Sequence, residues 1–155
     1  MSSKVSDQSQ KQGKNQISLG QEHVCVLGLG YVGLTLAVTL AELRVRVTGV
    51  DRNPQVLESL KNGKSHFYEK GLDGVLKKYL GDTFSLAPSI DSAEDFNVFI
   101  ISAGTPIKAD GTPNLSFVEE CAKEIGKHLR PESLVILRST VPVGTTRNVV
   151  LPVLE

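Results

Sequence analysis

The 155-residue chain, 40% hydrophobic and 22% charged, has the makings of one soluble domain with a single core. Lys+Arg 17 against Asp+Glu 17 leaves no net charge, so neither nucleic acid nor a membrane is indicated as a partner. Cys25 and Cys121 stand far apart with no C-x-x-C or Cys/His spacing, which excludes a disulfide scaffold and a zinc site; with no export signal at the polar N-terminus, they point to the cytoplasm.

Residues 1–20 read as a disordered tail and residues 21–155 as one ordered domain. Ser, Gln and Lys dominate the start of the tail, where only Met1 and Val5 are apolar, too little to offset the entropy of ordering. The apolar run His23–Leu27 reads as a first strand. From Val24 to Ala41 there is no charged residue, about the length of a membrane-spanning helix. Gly28, Gly30 and Gly33 interrupt it, however, and its first half is β-rich. A strand, a tight turn and a helix from about Val32 to Leu43 account for it better.

Val45–Val50 is predicted as a second strand, closed by Asp51, and Pro54 opens a helix whose buried face is Val56, Leu57 and Leu60. Leu72, Val75, Leu76, Tyr79 and Leu80 recur at helical spacing, which places a helix over Gly71–Leu80. Thr83–Leu86 follows as a short strand. The β-branched run Val98–Ile101 is the kind buried on both faces of a parallel sheet. After a loop with Gly104, Pro106, Gly111 and Pro113, the stripe Phe117, Val118, Cys121, Ala122, Ile125 and Leu129 marks another helix. Leu134–Leu137 is the last strand, and a helix from Gly144 is expected to kink or end at Pro152. Strands alternating with helices imply right-handed crossovers and a doubly wound parallel α/β sheet of the Rossmann type.

The segment Gly28-Leu29-Gly30-Tyr31-Val32-Gly33 matches G-x-G-x-x-G in the context its chemistry requires, a strand before and a helix after. Gly28 permits the tight turn, Gly30 lets the backbone approach a pyrophosphate, and Gly33 lets the helix pack close to the strand. The helix start then offers free N–H groups and a partial positive charge to phosphates. Asp51 ends the next strand, 18 residues after Gly33, where a carboxylate accepts hydrogen bonds from ribose hydroxyls and repels a 2′-phosphate. NAD is therefore expected over NADP, although Arg52 beside it offers the opposite preference. Asn53, before Pro54, is the better N-cap.

Ser102–Pro106 and Ser139–Gly144 leave the carboxyl ends of two further strands, the edge where open α/β sheets bind ligands. On residues alone, Thr105-Pro106 and Thr140-Val141-Pro142 read first as turn chemistry. Cys25, within a strand, and Cys121, on the helical stripe, read as small buried hydrophobes. His23, His66 and His128 have no metal-spaced partner.

Taken together, Gly28–Leu34 (GLGYVGL), Gly49-Val50-Asp51, Phe67–Leu72 (FYEKGL), Gly104-Thr105-Pro106, Asp110–Leu115 (DGTPNL) and Ser139–Arg147 (STVPVGTTR) resemble the UDP-glucose/GDP-mannose dehydrogenase family. The similarity runs in order from about His23 to Glu155. It implies a domain of an enzyme that oxidises the C6 alcohol of a nucleotide sugar to a carboxylate with two NAD+, through a cysteine-bound thiohemiacetal and thioester. By the same resemblance Gly28 to Gly33 hold the pyrophosphate, Asp51 holds the adenosine ribose, and Thr105 lies along the cofactor. Thr140 sits near the nicotinamide and the reacting centre, positioning a catalytic water. A UDP-sugar is expected ahead of GDP-mannose as substrate, and a homodimer or larger assembly for the parent enzyme.

Two positions depart from the family pattern: Lys70 stands where proline is usual, and Val56 stands where a basic residue often follows the ribose-binding acid. The family's nucleophilic cysteine, its lysine and its sugar-nucleotide domain are expected beyond Glu155, so this chain is expected to bind NAD without turning over. Two other readings stay open: a non-catalytic NAD-binding regulatory module with the same glycine turn and Asp51, and the N-terminal domain of a β-hydroxyacid-type dehydrogenase, which shares the glycine turn.

Overall fold

The structure is a computed structural model that describes residues 22–91 and 94–155. The expected tail, residues 1–20, lies outside the described residues. Five strands run β1 (His23–Leu27), β2 (Arg46–Val50), β3 (Phe84–Ala87), β4 (Val98–Ile101) and β5 (Leu134–Leu137). They form one sheet in the order β3-β2-β1-β4-β5, and every pairing is parallel. The order reverses between β1 and β4, as expected of a doubly wound Rossmann sheet. Parallel neighbours cannot be joined by tight turns, so helices α1 (Tyr31–Glu42), α2 (Pro54–Lys61), α3 (Leu72–Tyr79) and α4 (Ser116–Gly126) carry most of the crossovers.

Alternation along the strands sends residues to two separate cores. Val24, Val26, Val47, Phe84 and Ile100 pack on the side of α1 and α3. Cys25, Leu27, Val50, Phe99 and Ile101 pack on the side of α4. β1 is buried along its whole length, which is why Val24–Leu27 is apolar throughout rather than alternating. Phe84 and Phe99, both 0% exposed, anchor the two sides, and truncating either to alanine is worth about 3–5 kcal/mol. Gly49 in β2 leaves the space that the Leu29 side chain fills, since a Cβ there would stand 2.8 Å from Leu29 Cδ2.

The sequence-predicted elements all appear, with ends displaced by a residue or a few. Two particulars differ. Phe117, expected on the buried stripe of α4, is 37% exposed, whereas Val118, Ala122 and Ile125 are fully buried. Cys121 is likewise only half-buried. Both lie at the margin of the apolar stripe, where helical periodicity cannot separate core from cleft wall. At the C-terminus a π-helical turn (Thr146–Val150) precedes a short α-helix, α5 (Leu151–Leu154), with Pro152 in its first turn. Pro152 has no N–H to give the carbonyl four residues back, and the wider turn falls where that bond would be made.

Candidate functional site

The register of the sheet brings the site residues level. Leu27 is paired with Val50 on one side and with Ile101 on the other, and Ile101 is paired with Leu137. The next residue of each strand then donates to its neighbour. Gly28 N bonds Val50 O at 2.8 Å, Ser102 N bonds Leu27 O at 2.8 Å, and Arg138 N bonds Ile101 O at 2.8 Å. Asp51 N reaches Ala87 O at 3.2 Å. Gly28, Asp51, Ser102 and Arg138 therefore stand in a row along the carboxyl edge, and every loop of interest leaves from that row.

The glycine turn is built as the motif demands. Gly28 has φ +94°, a left-handed conformation that a side chain resists, and a Cβ there would also meet Ser102 O at 2.7 Å. At Gly33 a Cβ would stand 1.8 Å from Gly28 O, so only hydrogen allows α1 to start against the turn. Gly30 is different. Its φ of −66° is ordinary, and a Cβ would meet nothing within 4 Å. The chain itself gives no steric reason for glycine there, and the space beside it is open.

That space borders the start of α1. α1 is N-capped by Gly30 with no side-chain hydrogen bond, and its first turn has no acidic residue. The leading N–H groups of a helix carry a partial positive charge that suits an anion. Helix α2 contrasts with α1, because the Asn53 side chain accepts from Gln55 N at 3.0 Å and Asn53 is indeed the cap.

Asp51 turns towards the glycine turn. Its Oδ2 accepts from Leu29 N at 2.8 Å, and its Oδ1 accepts from Asn53 N at 2.9 Å. A carboxylate has about four acceptor positions, so two stay open for hydroxyl donors. Leu29 thus enters the site through its N–H alone, with its side chain fully buried.

Two clefts flank this acid. One, about 370 Å³, lies between the ends of β2 and β4 and helix α4, bordered by Asp51, Arg52, Pro88, Gly104, Phe117 and Glu120. The other, about 500 Å³, runs past Gly30, Tyr31 and Val32 to Thr105, Arg138 and Thr140. The second brings together residues predicted from separate motifs. Thr105 Oγ1 donates to Thr140 O at 2.7 Å, and Ser139 Oγ donates to Ala103 O at 2.7 Å, so the β4 and β5 loops are fastened to one another. Tyr31 donates to Glu69 Oε2 at 2.6 Å, and its ring lies 4.9 Å from that of Phe67. The bond to Glu69 raises the Tyr31 phenol above its usual pKa.

Sequence reasoning weighed His66 only as a metal ligand, whereas it borders the second cleft, and it missed the pairing of Arg52 with Glu120 in the first. His66 sits one residue before the FYEKGL segment, a proximity that could have drawn attention to it. Neither cysteine suits nucleophilic work. Burial pushes the Cys25 thiol far above its ordinary pKa, and burial followed by Glu124 pushes Cys121 up to about 11. Among the described residues no group of three or more His, Cys, Asp or Glu could hold a metal, and no helix is long and apolar enough to cross a membrane.

A glycine turn at the switch point, a bare helix start and an acid at the end of β2 define a dinucleotide-binding domain of the dehydrogenase kind. The comparisons with known proteins are specific. A family model described as "UDP-glucose/GDP-mannose dehydrogenase family, NAD binding domain" matches residues 22–155, and the chain belongs to that family. It is 41% identical over 126 residues to a UDP-N-acetyl-D-mannosamine dehydrogenase of Campylobacter jejuni, covering 81% of this chain and 30% of that protein. The structure of a UDP-glucose dehydrogenase from the hyperthermophilic archaeon Pyrobaculum islandicum superposes with a TM-score of 0.80 at 37% identity, over 89% of this chain and 33% of that one. A ternary complex of GDP-mannose dehydrogenase from Pseudomonas aeruginosa gives a TM-score of 0.77 at 34% identity, over 85% of this chain and 31% of that one. The chain thus spans about a third of the length of these relatives. NAD is the family's cofactor, and the open space at Gly30, the uncapped α1 and the inward Asp51 fit it.

Proposed function

We propose that this chain is the NAD-holding part of a nucleotide-sugar 6-dehydrogenase that oxidises the C6 alcohol of a UDP-sugar to the uronate with two NAD+. NAD supplies the oxidising power when bound. The chain supplies grip and orientation: the leading amides of α1 take the diphosphate, and the free acceptor positions of Asp51 take the adenosine ribose hydroxyls. The fastened loops carrying Thr105 and Thr140 border the other end of the same cleft, the place for the nicotinamide. There Thr140 orients the water that releases the product.

The observation that carries the reading is the 2.8 Å bond from Leu29 N to Asp51 Oδ2, because it aims the acid at the phosphate turn. A UDP-sugar is favoured over GDP-mannose because the relatives at 41% and 37% identity are named for UDP-sugars. The two high-pKa thiols support a nucleophile contributed from outside these residues, and as free cysteines they also suit a cytoplasmic setting.

Calorimetric titration tests the reading. NAD+ is expected to bind the chain, and Asp51→Ala to weaken it by about 10- to 100-fold, as for loss of a charged acceptor. No NADH is expected from the chain with UDP-glucose, UDP-N-acetylmannosamine or GDP-mannose. Turnover with any of them would place the nucleophile inside these residues and sink that part of the proposal.

A further inference from the structure

Arg52 follows Asp51 directly, yet its side chain leaves the phosphate turn and reaches across the 370 Å³ cleft to α4. There its Nη1 pairs with Glu120 Oε2, and its guanidinium carbon lies 4.5 Å from the centroid of the Phe117 ring. An arginine near the ribose-binding acid is ordinarily what accommodates a 2′-phosphate and turns such a domain towards NADP. Here that arginine is already engaged, by a carboxylate at one end and an aromatic face beneath.

The pair contributes little to the fold. Its side chains are 62% and 50% exposed, the regime in which ion pairs add little stability. α4 is held instead by fully buried Val118, Ala122 and Ile125. Electrostatics suggest a different role. Asp51, Glu120 and Glu124 border the cleft against Arg52, three formal negative charges against one positive. Glu124 is occupied, since its Oε1 accepts from Ile90 N at 2.8 Å. Glu120 has no such structural duty beyond Arg52, and without it the guanidinium would swing free within reach of the ribose.

We propose that Glu120 is a specificity-determining residue: it holds Arg52 against Phe117 and neutralises it, withholding that cation from a 2′-phosphate. The cleft then rejects NADP twice, through the charge of Asp51 and through the engagement of Arg52. This rests on the assignment of Asp51 to the adenosine ribose. Phe117 and Glu120 lie 65 and more residues from Arg52 in sequence, so the arrangement is a property of the fold rather than of the local motif.

The test uses NAD+ and NADP+ titrated calorimetrically into the wild-type chain, Glu120→Gln, and the double variant Glu120→Gln/Arg52→Ala. Glu120→Gln is expected to lower the ratio of Kd for NADP+ to Kd for NAD+ by about tenfold or more, the gain from one charge-assisted phosphate contact. The double variant is expected to lose that gain. The ratio reads folded protein only, so a small loss of stability does not disturb it. An unchanged ratio in Glu120→Gln, or a gain that survives in the double variant, would overturn the role of Glu120 while leaving the NAD site intact. Failure of the wild-type chain to bind either coenzyme would overturn the site, and this proposal with it.

Discussion

The two edges of the one sheet treat polar groups in opposite ways. At the amino edge they bond chiefly to one another, except for buried His23 Nδ1, which lies 3.5 Å from Glu94 Oε2 without a hydrogen bond. Buried His23 places Nε2 3.1 Å from Thr48 Oγ1, Thr48 Oγ1 lies 2.8 Å from Ser85 Oγ, and Asn97 Oδ1 accepts from His23 N at 2.9 Å. At the carboxyl edge the helix start of α1 stays uncapped, Asp51 keeps acceptor positions open, and Thr140 is exposed. Both edges belong to the same parallel strands, so secondary structure does not explain the difference. The amino edge bonds largely within the fold, whereas the carboxyl edge leaves α1 uncapped and Asp51 with free acceptor positions, as the proposed NAD site requires. Substitutions at one edge are therefore expected to register in stability, and at the other in affinity.

The most severe test is the residue that serves both. Gly33→Val puts carbon where only 1.8 Å separates a Cβ from the Gly28 carbonyl, and is expected to cost about 3 kcal/mol and abolish NAD binding. Melting and calorimetry on the same sample check it. Gly30→Ala isolates the ligand side, since its Cβ meets nothing in the chain. Affinity for NAD is expected to fall about tenfold, while stability moves by less than about 1 kcal/mol. An unaltered affinity would mean that no ligand backbone passes there.

Thr48→Val probes the amino edge. It leaves His23 and Ser85 without their shared hydroxyl and is expected to cost about 1–2 kcal/mol in denaturant unfolding, with NAD affinity unchanged. The smallest effect is a pH slope. Burial and then Arg46 lower the pKa of His23 from its ordinary 6.5, against a weaker opposite pull from Glu94. The folded chain thus resists a proton that the unfolded chain accepts. His23 costs nothing above its ordinary pKa, and stability is lost as pH falls through about 6.5 towards the lowered value. Melts at about pH 7.5 and about pH 5.5 are expected to differ less in His23→Gln than in the wild type.

Much of this was legible because it is local. The apolar run of β1, the three glycines and Asp51 each carry their reason within a few residues, and the strand-helix alternation allows few topologies. Asn53 was recognisable as a cap from its place before Pro54. What escaped the sequence depends on distance or on degree. Glu120 is 68 residues from Arg52, and nothing near either residue announces the other. Phe117 and Cys121 sit at the border of a helical stripe, where hydrophobicity says apolar without saying whether against core or cleft. The side chain of Leu29, inside the motif, fills the hollow above Gly49, a fit between two segments that neither shows by itself.

The bond between Leu29 N and Asp51 also bears on how association proceeds. Because folding has already locked the acid to the bend, a dinucleotide bound as proposed is expected to find its receptor pre-set, with few local torsions left to freeze. Pre-organisation of that sort lowers the entropic cost of capture. Free and loaded forms are thus expected to superimpose at this corner, leaving any larger rearrangement to occur elsewhere.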